Sequence, residues 1–282
     1  MTKIVGILNI TPDSFSDGGK FNQEDRVLTH LEQMLNEGAD IIDIGAESTR
    51  PNAVAISAAE EWSRLENVLI KIVNFCKQFS QKTGKKILTS IDSYHFETIQ
   101  KAHQAGVDIV NDVSGLSDEK IIDFIAKNNI KTVFMHSLSV PADPKIIINS
   151  ALNVVDEILS FAHKKIAFLQ EKGVKKSQLI FDPGIGFSKD GAQSIRILKN
   201  IVRFRELGLP IYVGHSKKRF LDEIYKNLNE ECKNNEDLMK LRAKKTLMIS
   251  VFLSSKKVDF IRVHDVLENK KAIENHSDFI NF

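Results

Sequence analysis

Three residues able to read a polar ring stand at or near the ends of short apolar runs. Asp92 closes Ile87–Asp92, Asn111 lies in Asp108–Asp112, and Asp182 closes Leu179–Asp182. A carboxylate only accepts hydrogen bonds, whereas an amide both donates and accepts. Gathered in one cavity, the three would suit a flat heterocycle with several N–H donors, such as a guanidine-like ring edge. Taken singly, each is as well explained as the cap of its own loop. All three at one mouth, buried without a ligand, would be costly.

Other segments point to anions. Gly45-Ala46-Glu47-Ser48-Thr49-Arg50-Pro51 sets hydroxyls beside an Arg, whose planar fork of donors suits a phosphate; alone it reads equally as a capped turn with a surface Arg. Gly214-His215-Ser216-Lys217-Lys218-Arg219 runs from a strand end toward a helix, with Ser216 a natural N-cap. Free amides and clustered cations there would hold a carboxylate or phosphate, or form a basic surface turn. Alternation in the run Asp259–His264 sends Arg262 and His264 to the same side, a pair suited to pyrophosphate. In the segment from Asn9 to Gly19, Pro12 and Asp17-Gly18-Gly19 account for a turn. They do not account for Phe15 among polar residues, which suits a loop covering a ligand. Asp182-Pro183-Gly184-Ile185-Gly186-Phe187-Ser188-Lys189 fails as a dinucleotide fingerprint, because Lys189 holds the third glycine position. Gly184 and Gly186 instead allow close approach of the backbone. The His and Cys residues show no zinc-type spacing.

The elements that must position these groups follow from the same runs. Lys3–Ile10, Ile41–Gly45, Thr132–His136 and Ile211–His215 complete a set of eight with those above. Continuous apolar runs are the mark of buried parallel strands. Amphipathic stretches separate most of them. A doubly wound open sheet would show the same alternation but would concentrate functional groups at one switch point. Eight strands with a functional group at nearly every end predict a TIM-type (β/α)8 barrel, an α/β fold with its site at the carboxyl ends of the strands. No Pro-, Gly- or Ser-rich linker interrupts residues 1–282, so a single domain is expected. Ser57-Ala58-Ala59-Glu60 reads as a capping box. The helix it opens would carry Trp62, Leu65, Leu69, Ile72, Val73 and Cys76 on one face. Asn22 and Ser117 precede acidic first turns and read as helix starts. Asn227–Asp237 reads as a solvated, mobile segment.

Composition excludes several classes. Lys and Arg number 39 against 37 Asp and Glu, with no basic patch, which argues against nucleic acid. The chain's two cysteines, Cys76 within an apolar helical pattern and Cys232 in a polar segment, suit a reducing compartment. Strand-like sequence from Lys3 leaves no room for a signal peptide, and no apolar run has membrane-spanning length, so a cytoplasmic location is expected.

At these residues the sequence resembles the dihydropteroate synthases over nearly its whole length. Gly6-Ile7-Leu8-Asn9-Ile10-Thr11-Pro12-Asp13-Ser14-Phe15-Ser16-Asp17-Gly18-Gly19 resembles the family's first signature, and Asp40–Pro51 its second. Asn111-Asp112-Val113-Ser114-Gly115, Asp182–Phe187, Ser216-Lys217-Lys218 and Arg262-Val263-His264-Asp265-Val266 follow in the family's order. The resemblance implies condensation of 6-hydroxymethyl-7,8-dihydropterin diphosphate with 4-aminobenzoate, giving 7,8-dihydropteroate and pyrophosphate in folate biosynthesis. By it, Asp92, Asn111, Asp182 and Lys218 would hold the pterin, with Met135 against its face; Asp92, Asp182 and Lys218 would be catalytic. Asn9 would place Mg²⁺ and the diphosphate, which Thr49, Arg262 and His264 would bind. Phe187, Pro51 and Ser216 would meet aminobenzoate, under loops bearing Phe15 and Arg50. A homodimer and sulfonamide competition at the aminobenzoate site are carried over as expectations. Departures from the family's pattern are Ala46, Asn52 and Ser188 where Gly is usual, Lys217 where Arg is usual, and a looser Met135-His136-Ser137-Leu138. The competing readings are a methyltetrahydrofolate-type methyltransferase and a non-catalytic pterin-binding paralogue. A methyltransferase needs no diphosphate or aminobenzoate site, and a paralogue need not keep the polar residues intact.

Overall fold

In the computed structural model, residues 1–11, 20–48, 53–143, 145–226 and 234–280 are described. Eight strands form one parallel sheet: β1 Lys3–Asn9, β2 Ile41–Gly45, β3 Leu88–Asp92, β4 Ile109–Asp112, β5 Lys131–Met135, β6 Leu179–Asp182, β7 Tyr212–Gly214 and β8 Phe260–Val263. The order β6-β5-β4-β3-β2-β1-β8-β7 closes through a parallel bridge between Phe181 and Ile211. The fold is therefore the TIM-type barrel expected from the runs. All eight runs became strands, with bounds within a residue or two of the sequence reading.

Strand periodicity explains the interior. Side chains two residues apart share a face. Val5, Ile41, Ile109, Val133, Ile180 and Tyr212 pack together inside the barrel, joined by Leu88 and Phe260. This apolar floor lies two residues before Asp43, Asn111, Met135, Asp182, Gly214 and Arg262, so polar groups begin one layer higher on the same inward face. The opposite strand faces, including Leu8, Ile42, Ile44, Phe134 and Phe181, pack against the helices in a separate core.

The outer helices are α1 Lys20–Glu37, α2 Ala58–Leu65, α3 Leu69–Thr83, α4 Phe96–Gln104, α5 Glu119–Asn128, α6 Val154–Glu171, α7 Gly191–Lys199, α8 Leu221–Lys226, α9 Asn235–Ser255 and α10 Val266–Ile280. Several starts differ from the sequence reading. Lys20 opens α1, which places Asn22 inside the helix. The cap of α5 is Asp118, whose carboxylate accepts from Lys120 N at 2.8 Å, while Ser117 bonds Ser114 instead. Ser57 does cap α2, but Glu60 turns to Arg64 at 2.6 Å, so only half of the capping box forms. The single helix expected after Ser57 is two, broken at residues 66–68, where Asn67 and Val68 are poor helix formers. Its apolar face survives the break, for Leu65, Leu69, Ile72, Val73 and Cys76 are all buried. Residues 227–233, with Cys232, lie outside the description; Asn234 caps α9 by accepting from Asp237 N, so the end of that polar segment is helical.

Candidate active site

The carboxyl ends of the strands bring the polar residues into one cup. Asp43 lies mid-β2, fully buried, with Ile7 and Ser90 beside it in register. Its Oδ2 accepts from Arg262 Nε at 2.6 Å and from Asn111 Nδ2 at 3.1 Å. Arg262 Nη2 donates to Asp92 Oδ2 at 2.6 Å. Four residues from β2, β3, β4 and β8 thus form one ionic network. A Cβ placed on Gly45 would lie 3.6 Å from both Asn9 Oδ1 and Asp92 Oδ2, so β1 joins the same wall. A Cβ on Gly214 would lie 3.8 Å from Lys218 Nζ and 3.9 Å from Arg262 Cδ, which joins the turn after β7.

On the other side, Met135 and Asp182 are adjacent in register on β5 and β6. Asp182 Oδ1 accepts from Gly184 N at 2.7 Å, folding the following segment back over the strand. Gly184 has φ +68, and an added Cβ would fall 2.1 Å from His136 O, so only glycine permits this turn. The turn carries Phe187, over whose ring Lys218 Nζ sits 4.6 Å from the centroid. Lys218 Nζ also donates to Ile185 O at 2.7 Å. Beneath, Lys189 Nζ reaches Phe187 O at 2.7 Å, His136 Nδ1 at 2.9 Å and His136 O at 3.1 Å.

The electrostatics follow from burial. Burial opposes the charge on Arg262, but Asp92 and Asp43 outweigh it and hold the guanidinium protonated. Burial lifts Asp92 to about 7, against the pull of Arg262. It lifts Asp182 as well, opposed by Lys218 and the Gly184 N–H. Burial lowers Lys218 to about 8, opposed by Asp182. The cup therefore offers carboxylates held above their ordinary range beside an ammonium held below its own.

Ser216 does not cap a helix. Its Oγ meets His264 N at 3.3 Å and His264 Nδ1 at 2.9 Å, and α8 begins only at Leu221. The expected cluster of cations also divides, with Lys217 paired to Asp265 at 2.8 Å while Lys218 turns into the cup. His136 is buried against Lys189, and His215 bonds Ser250 Oγ at 2.8 Å. Phe15, Thr49, Arg50 and Pro51 lie outside the described residues. Asn9, Asp92, Asn111, Met135, Asp182, Phe187, Ser216, Lys218, Arg262 and His264 come from seven of the eight strands or the turns that follow them. The sequence reading noted Asp43 in the run Ile41–Gly45 as a residue able to do chemistry but gave it no role in the site.

A family model described as "Pterin binding enzyme" matches residues 5–264. A dihydropteroate synthase of Clostridium beijerinckii is 37% identical over 272 residues, 96% of this chain and 91% of the relative. The chain belongs to the pterin-binding enzymes, among the dihydropteroate synthases. A pterin-binding enzyme of known structure, the dihydropteroate synthase of Anaplasma phagocytophilum with bound 6-hydroxymethylpterin-monophosphate, has a TM-score of 0.83 at 32% identity. The match covers 99% of each chain. The synthase of Xanthomonas albilineans with 4-aminobenzoic acid has a TM-score of 0.84 at 29% identity, covering 100% of this chain and 94% of that one. Among the described residues no helix is long and apolar enough to cross a membrane.

Proposed function

We propose that this chain joins 6-hydroxymethyl-7,8-dihydropterin diphosphate to 4-aminobenzoate, releasing pyrophosphate and 7,8-dihydropteroate. Family membership supports the reaction. The observation that carries it to this chain is the meeting of Asp92, Asn111, Asp182 and Lys218 in one cup with Arg262 and His264.

The ring-facing groups are Asp92, Asn111 and Asp182 as acceptors and Lys218 as donor, with Met135 against the face of the ring. When the C–O bond to the diphosphate breaks, its electron pair leaves with pyrophosphate and positive charge develops on the pterin methylene. Asp92 and Asp182 stabilise that charge, and Arg262 and His264 meet the departing anion. The lone pair of the aryl amine forms the new C–N bond, and one proton is lost from nitrogen. Aminobenzoate lies between Phe187 and Ser216. We further propose a homodimer, and competition by sulfonamides for the aminobenzoate site.

Mg²⁺ fits this site as a substrate-borne ion. Among the described residues no group of three or more His, Cys, Asp or Glu is arranged to hold a metal. Asn9 offers one amide oxygen at the rim, near Asp92. A hard cation that keeps its waters and takes phosphate oxygens needs little more from the protein. When bound, it would offset the charge on the leaving diphosphate.

The test is incubation of the folded chain with both substrates and Mg²⁺, with dihydropteroate as the readout. Product is expected; none from a well-folded sample would reject the proposal.

A further inference from the structure

We infer that Asp43 is a positioning residue that decides which way round the Asn111 amide stands, and so which hydrogen-bond pattern the cup offers the pterin ring. The inference rests on the function proposed above and adds to it a residue without contact to the reacting atoms.

An asparagine side chain can turn end for end about its last bond, exchanging a donor for an acceptor at nearly unchanged shape. Packing alone does not choose between the two. A carboxylate does choose, because it only accepts. Asp43 Oδ2, 3.1 Å from Asn111, therefore requires the amide nitrogen on its side and turns Oδ1 away from it. Arg262 holds the carboxylate in place, with Nε on the same Oδ2 at 2.6 Å. A cation on β8 thus sets the polarity of an amide on β4, through a carboxylate on β2.

Asp43 is fully buried, and its Oδ1 has no hydrogen-bond partner among the described residues. An Asp serving only to neutralise Arg262 would be redundant, because Asp92 already pairs with the same guanidinium at 2.6 Å. The contact to Asn111 is what Asp92 does not duplicate.

Asp43→Asn is nearly isosteric and lets both amides stand either way. KM for the pterin diphosphate, KM for 4-aminobenzoate, kcat and the thermal midpoint are measured in the parent, in Asp43→Asn, in Asn111→Ala and in the double variant. Asp43→Asn is expected to raise the pterin KM by about tenfold or more, with the aminobenzoate KM within about twofold of the parent. In the Asn111→Ala background the same change is expected to add less than about threefold, because the amide it orients is gone. An unchanged pterin KM, or an equal penalty in both backgrounds, would overturn the inference in favour of simple charge neutralisation. Should Asp43→Asn not fold, the exchange Asp43→Asn with Asn111→Asp restores one carboxylate against one amide and an acceptor toward the cup. Its pterin KM is expected within about fivefold of the parent, and a larger rise overturns the inference. A parent that forms no dihydropteroate would refute the functional reading instead; this inference fails only on an active parent.

Discussion

Ser188 stands in left-handed backbone, with φ +52. That conformation costs a non-glycine residue of the order of 1 kcal/mol. The hydroxyl returns a similar amount, since Oγ accepts from Leu138 N at 2.9 Å and meets Ser137 Oγ at 3.4 Å. Ser188→Gly should therefore change stability little, whereas Ser188→Ala keeps the strain, loses the bonds and should cost roughly 1–2 kcal/mol. Chemical denaturation of the two variants checks the order, which would be reversed if the serine were unstrained. The ionisable groups of the cup make a second prediction. Asp92 and Asp182 must be ionised to accept from the ring, and burial raises both, so kcat/KM should climb with pH above the ordinary carboxylate range. Lys218 must be protonated to donate, and burial lowers it to about 8, so kcat/KM should fall as pH rises through that value. Lys218→Arg should carry the alkaline limb out of the accessible range; a limb that stayed near 8 would belong to another group.

At the scale of elements, most of the framework was legible. Apolar runs ending in polar residues marked all eight strands, because a buried parallel strand leaves little freedom in composition. Helix starts were less legible. Ser117 and Asp118 both suit an N-cap, and only the path of the chain decides that Asp118 serves while Ser117 bonds Ser114. Glu60 completes a capping-box pattern, yet Arg64 one turn on competes for it and wins. Ser216 looked like the cap of the next helix, but His264, 48 residues away, holds its hydroxyl. Removing the true cap by Asp118→Ala should cost about 1 kcal/mol in thermal or denaturant unfolding, with Ser117→Ala costing less. Gly184 ties two elements together. Gly184→Ala puts a methyl group against His136 O and should push the turn bearing Phe187 off β6, leaving the barrel folded by circular dichroism and the pterin unbound.

For the whole molecule, the sequence located the cup because alternation assigns a face, and eight strand ends on one rim have nowhere else to converge. It did not reveal how charges within the cup divide among themselves. The sequence marked Arg262 as a group for pyrophosphate but not its pairing with two carboxylates, because a contact across 219 residues, such as that with Asp43, leaves no local trace. The thin donor set around Asn9 leads to a molecular-scale expectation. Calorimetry should show little Mg²⁺ uptake by the protein alone and clear uptake once the pterin diphosphate is added. Tight binding by the protein alone would mean that more protein ligands take part than the described ones.

The ladder between β6 and β7 is the sparsest in the cylinder. Phe181 N donates to Pro210 O at 2.9 Å, and Pro210, lacking an N–H, has nothing to give back. Asp182 stands on one bank of this gap and Lys218 on the other, and the ammonium reaching over to Ile185 O is a rope across it. A guest gripped by both banks would act as a second rope. The weak seam of the barrel and the grip on the substrate thus coincide, and slowed hydrogen exchange at Phe181 should report occupancy before it reports unfolding.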